Sequence, residues 1–302
     1  MMEDETLSRD TPKQRKYIFF AKRFLKLLKE KPLGTIGAVL VLMLFFTGIF
    51  ADILAPFGMN EIHLEDSLMP PSGSHWLGTD QMGRDMLSRC IYGARISMIV
   101  GVGASTLSVL IASFVGIISG FYGGKVDFIM QRFVDTVMCF PGLLVMLTVM
   151  SVLGPGLVNT IVVLGVFQGI SVSRLIRSEV LSIRERRYIE AAFAIGCKGR
   201  TIIFRHILPN ILPIIIIMSA TEMGFMIIVE ASISFLGFGV PPPYPSWGGM
   251  LSGSGREYML EMPWLAIWPG LFLSTAVFGI NMFSDGMRDI LDPRLKGKMQ
   301  QL

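Results

Sequence analysis

The chain has 302 residues, 52% of them hydrophobic and only 17% charged, with a mean hydropathy of +0.58. A soluble chain carries about a quarter charged residues, so this composition excludes an ordinary soluble globular protein and points to lipid as the solvent. The formal net charge of +4 would suit a nucleic-acid binder, but the basic residues fall in a few blocks between apolar stretches, which is the positive-inside pattern; no nucleic-acid partner is expected.

Residues 1–33 hold nine Lys and Arg and read as a cytoplasmic tail. The apolar run after them, about 34–54, is too long for the core of a signal peptide and lacks a small-x-small cleavage site, so it is expected to stay as a membrane anchor. With the external loop that follows, it makes a first unit, 34–94. Arg84, Arg89 and Arg95 lie on this basic-poor side, where they would pair with Asp80 and Asp85, with lipid headgroups or with an acidic docking surface.

A second span is expected over about 96–120. It carries Gly101, Gly103, Ala104, Ser105, Ser108, Ala112, Ser113 and Gly116, small residues that let helix backbones approach closely. Between Asp135 and Arg174 lie 38 uncharged residues broken by Gly154-Pro155-Gly156. They predict two spans, about 130–152 and 157–173, the first bent at Pro141. A fifth span follows at about 211–235, with Pro213 near its start, and a sixth at about 264–283. Trp76, Trp247, Trp264 and Trp268 are placed where an outer aromatic belt would form.

Six spans with both termini inside put 23 basic residues on the cytoplasmic face and four outside. The expected fold is an all-α integral membrane protein with six transmembrane helices, both termini cytoplasmic. Its main transmembrane domain covers 95–290, with five helices and a cytoplasmic loop at 174–210, before a cytoplasmic tail, 291–302.

Asp135, Glu222 and Glu230 fall inside predicted spans. Each is costly in lipid and is expected to face the bundle interior, a partner or water. Glu222 and Glu230, eight apart, stand about 80° apart around a helix and would also suit a self-sufficient, ion-coupled secondary transporter. That alternative usually brings inverted repeats, and none is visible. Cys90, Cys139 and Cys197, like His63, His75 and His206, are scattered without metal or disulfide spacing. There is no HExxH, GxSxG or GxxxxGK[ST] motif, so no catalytic residue, metal or cofactor is assigned to the chain.

The inner segment RLIRSEVLSIRERRYIEAAFAIGCKGRTIIFRHILPN, 174–210, predicts a helix from near Arg184 to Gly196. A second would start after Gly199 and be closed by Pro209. Together they would form a cytoplasmic knob, with Ala191, Ala192 and Ile195 exposed to enter a groove on another protein. An amphipathic loop resting on lipid headgroups fits the same residues.

Glu190-Ala191-Ala192, three residues, Gly196, and then Leu208-Pro209 resemble the EAA loop of ABC importer permeases. In that pattern an Ile commonly stands three residues before the Pro; here His206 does, with Ile207 beside it. Three further stretches, WLGTDQMGRDMLSRCIYGARISM (76–98), SISFLGFGVPPPYPSWGGML (232–251) and DGMRDILDPRLKG (285–297), are similar to dipeptide and oligopeptide permeases. The resemblance implies the second, C-type permease subunit of a peptide-type ABC importer, the nickel relatives included, with a type I importer bundle in the plasma (inner) membrane. It implies a second, homologous permease, two ATPase subunits holding ATP and Mg²⁺, and an external solute-binding protein that carries most of the selectivity. Glu190, Ala191, Ala192, Gly196, Leu208 and Pro209 would couple the chain to an ATPase.

Overall fold

The computed structural model describes residues 32–291. The expected tails, 1–33 and 291–302, and the end of the 285–297 stretch lie almost wholly outside the described residues.

Among the described residues every regular element is helical. Helix α1 spans Pro32–Ile49 and is followed by a single turn, Ala51–Leu54. Helix α2 spans Met86–Tyr122, α3 Gly124–Met138, α4 Gly142–Leu153, α5 Leu157–Arg184 and α6 Arg187–Ala194. A turn at Gly199–Ile202 and a π-helical turn at Ile203–Ile207 lead into α7, Leu208–Phe235. A short α8, Trp247–Ser252, precedes α9, Trp264–Leu291. Among the described residues five helical stretches are long and apolar enough to cross a membrane, and α3 with α4 makes a sixth if the bent pair is one span. They meet at 84°, across Cys139, Phe140 and Pro141. Pro141 has no N–H to continue the helical ladder, so the break falls where the sequence placed it.

Two helices outrun their apolar cores. Helix α2 starts ten residues before the expected span because Asp85 caps it, accepting from the Ser88 backbone N–H at 2.8 Å. Helix α5 continues to Arg184, so residues 174–184 are helix rather than loop. Pro209 does not close a cytoplasmic helix, as the sequence suggested. It lies in the first turn of α7, where a missing N–H removes no intrahelical bond.

Small residues set the helix contacts. Helix α2 packs along α5, and α7 lies against α2 and α9. A Cβ on Gly116 would stand 2.7 Å from the Ser173 carbonyl oxygen, and one on Gly169 2.7 Å from that of Ser108. The α1–α9 crossing is equally close, since a Cβ on Gly37 would meet the Phe283 nitrogen at 2.3 Å. Such approaches let backbones touch in lipid, where packing rather than water exclusion joins helices.

One of the four tryptophans expected in an outer aromatic belt is buried instead. Trp76 is exposed, but Trp247 is 1% exposed, and its indole N–H donates to the Cys90 carbonyl at 3.0 Å. Trp264 and Trp268 are half-buried against the same cluster. Helix α8 thus docks its tryptophan onto α2 instead of offering it to the membrane surface.

Candidate functional site

The loop between α5 and α7 is built on a small apolar core. Ile189, Ala192, Ile202 and Ile207 pack with Phe121, Ile176, Val180 and Ile183 from the ends of α2 and α5. Phe193 stacks on Phe121 at 6.0 Å between ring centres, which fixes α6 against α2. A Cβ on Gly199 would meet the Phe121 ring at 3.2 Å.

Gly196 ends α6 with φ +80°. Its N–H donates to the Phe193 carbonyl at 3.0 Å, and the Cys197 N–H donates to the Ala192 carbonyl at 3.0 Å. These two bonds form a Schellman cap, whose left-handed position glycine occupies without a Cβ penalty.

The six singled-out residues divide by role in this geometry. Glu190 and Ala191 are exposed on α6, and Gly196 closes it. Ala192 is 6% exposed, contrary to the expectation of an outward-facing residue, because it follows Ile189 by three and turns with it into the core. Leu208 packs against the same cluster as Ala192, whereas Pro209 is exposed. The face left open carries Tyr188, Ala191, Ile195 at 80% exposure and, from the next turn, Phe204. Ile207, fully buried, fills the core, while His206 turns aside with its ring 6.4 Å from that of Tyr188.

The buttress beneath the loop was not read from the sequence. Arg177 of α5 grips Asp127 of α3, and the Ser119 hydroxyl of α2 donates to the same carboxylate. Arg184 reaches the Gly120 carbonyl at 3.5 Å. The only signal available was charge at the edges of apolar runs, which does not specify partners.

Of the acids within long helices, Asp135 pairs with Arg132 and Arg174. Glu222, 8% exposed, meets the Gln168 side chain of α5, and Glu230 is fully buried and accepts from Ser234 at 2.6 Å. At the opposite end of the bundle from the loop, Arg84 binds Asp80 at 2.7 Å and Arg89 approaches it at 3.6 Å. Arg95 instead binds Asp52 at 2.8 Å, holding that carboxyl below the usual carboxylate range. Asp85 is engaged by His75 at 3.0 Å and by its cap. Among the described residues no group of three or more His, Cys, Asp or Glu could hold a metal ion.

Residues 112–297, from the middle of α2 through the loop to the chain's last segment, match the family model of the binding-protein-dependent transport system inner membrane component. The chain belongs to this family. Residues 20–71 also match the N-terminal TM domain of oligopeptide transport permease C. The chain is 38% identical to a dipeptide transport system permease protein of Alkalihalophilus pseudofirmus over 90% of its length and 89% of the relative's. It is 36% identical to a glutathione transport system permease protein of Pectobacterium atrosepticum, covering 92% and 91%. A probable D,D-dipeptide transport system permease protein of Escherichia coli is 34% identical over 99% of both chains. The chain is thus a C-type ABC permease, a multi-pass plasma-membrane subunit of a binding-protein-dependent importer.

Proposed function

We propose that this permease forms half of the path for short peptides or chemically related small solutes, and that its α5–α7 loop is where ATP hydrolysis on a partner drives it. The solute class is supported by the names of the relatives, whose dipeptide, D,D-dipeptide and glutathione substrates share peptide-like amides and charged termini. The charge asymmetry supports six spans with both termini and the loop in the cytosol. The partners are a homologous permease, two ATPase subunits and an external binding protein.

One observation carries the coupling role. Helix α6 is held from behind by Ile189, Ala192 and its glycine cap, and presents Glu190, Ala191 and Ile195 outward as a rigid ledge. A rigid ledge transmits a push. Closure of the ATPase pair would draw the two permease ledges together and tilt the bundles between inward-facing and outward-facing states, a rigid-body switch biased by differential contacts.

The test is uptake by the complete complex in proteoliposomes with its binding protein. Labelled dipeptides, longer peptides and glutathione should include a substrate accumulated only with internal ATP. ATP-dependent uptake of none of them would contradict the solute class.

A further inference from the structure

We propose that Glu230 is a positioning residue for transport, acting through Ser234 to hold the 237–246 loop that receives the binding protein. The proposal rests on the reading above: six spans with cytosolic termini put this loop, between the fifth and sixth spans α7 and α9, on the outer side, where the external binding protein docks.

Glu230 sits about a turn and a half from the end of α7 and is fully buried. A carboxyl group in such a place is costly, and a leucine of similar size would pack with less penalty. What the carboxyl adds is direction. Serines in these helices often donate to a carbonyl three or four residues back, as Ser173 does to Ile170 at 2.6 Å and Ser232 to Ile228 at 2.8 Å. Ser234 does not. Its hydroxyl donates to the side-chain Oε1 of Glu230 at 2.6 Å, and its oxygen accepts the Val240 N–H at 3.3 Å. The carboxyl therefore turns Ser234 toward the loop.

The loop is fitted to this one hydroxyl. Gly237, at φ +87°, reverses the chain through bonds from its own N–H to the Ser234 carbonyl and from the Phe238 N–H to the Ile233 carbonyl, each 3.0 Å. Gly239 then lies so close that a Cβ there would stand 1.9 Å from the Ser234 oxygen. The Gly239 carbonyl accepts the Gly156 N–H at 3.1 Å, which joins the loop to the α4–α5 turn. Further on, a Cβ on Gly248 would meet the Ala231 carbonyl oxygen at 2.1 Å, so α8 is seated on α7 one residue from Glu230. The Glu230–Ser234–Val240 relay therefore sets the relation between two helix ends and the Pro-rich loop.

The experiment uses the complete complex in proteoliposomes and follows ATPase stimulation against the concentration of its purified, solute-loaded binding protein. Losing one net hydrogen bond that orders the loop should raise the half-stimulating concentration about tenfold in Glu230→Leu and in Ser234→Ala, with the maximal rate within about twofold of wild type. Glu230→Gln keeps an acceptor for Ser234 and should stay within about threefold of wild type. Amide exchange of the 237–246 peptide should rise about tenfold in Ser234→Ala, a small change that preserves the helix. Unchanged exchange and half-stimulation in Ser234→Ala would overturn the relay while leaving the proposed function intact, and so would equal effects of Glu230→Leu and Glu230→Gln. A wild-type complex unresponsive to the binding protein would overturn the outward-facing reading and this inference with it.

Discussion

Arg177 and Asp127, fifty residues apart in the chain, close a two-point ion pair, Nε to Oδ1 and Nη2 to Oδ2 both at 2.6 Å. The pair joins α5 to α3, and the Ser119 hydroxyl ties α2 to the same carboxylate. The proposed coupling loop stands on this junction. Removing the fork in Arg177→Met should cost about 2 kcal/mol, the scale of charge-assisted bonds at a partly exposed site. Arg177→Lys should recover less than half, because an ammonium cannot bond both oxygens in the same plane. Thermal unfolding of the purified proteins checks both. Equal melting temperatures for Arg177→Met and wild type would mean the junction is held by packing alone.

The burial of Trp247 gives a second expectation. Its ring fills the contact between α8, α2 and α9, and a Cβ on Gly93 would come within 2.7 Å of it. Trp247→Ala should destabilise by about 3–5 kcal/mol. Trp247→Phe, which gives up the bond to the Cys90 carbonyl but keeps most of the volume, should lose less than half as much. A surface belt residue would show little loss in either variant when unfolding is followed in detergent.

The Gly196 cap separates conformation from packing, since nothing lies within 4 Å of a Cβ placed there. Gly196→Val should cost about 1–2 kcal/mol locally through its positive φ alone, whereas asparagine tolerates the left-handed region. Gly196→Val should therefore insert normally but carry less ATPase and transport slowly, with Gly196→Asn near wild type. Uptake and co-purified ATPase measure this. Equal behaviour of the two variants would remove the cap from the account.

Positions of the long helices were legible because uncharged runs of bilayer length have few other uses. The bend at Pro141 and the glycine end of α6 were equally plain, since each follows from one residue's covalent structure. What the sequence concealed depends on partners distant in the chain. Arg89 and Arg177 sit inside helices that continue past the apolar core, because each has an acid waiting on another element. Trp247 looked like a belt residue until Gly93 and the Cys90 carbonyl gave it a pocket. Ala191 and Ala192 are the same side chain one position apart, and only the packing of Ile189 shows which turns inward.

Topology is open to direct labelling. In a background with Cys139 and Cys197 replaced by serine, Ser74→Cys and Leu260→Cys should react with an impermeant maleimide in intact cells; Leu260 is 94% exposed. Lys198→Cys should react only after permeabilisation. External labelling at 198 would reverse the orientation drawn from the basic residues.

The coupling role of α6 is tested most directly by placing arginine on its two faces. Ala191→Arg puts a long cation on the exposed ledge and leaves the apolar core beneath untouched. Ala192→Arg forces one into that core and should lower stability by at least about 1–3 kcal/mol through overpacking alone. The decisive measurement is the ATPase co-purified with Ala191→Arg, together with ATP-driven uptake, in protein whose melting temperature matches wild type. The account predicts normal folding, ATPase reduced at least about tenfold, the scale of one disrupted interface anchor, and uptake lost in proportion. A loop that merely rests on anionic headgroups would tolerate the added charge or gain from it. Wild-type ATPase content and wild-type uptake in Ala191→Arg would contradict the claim that this helix is the coupling site.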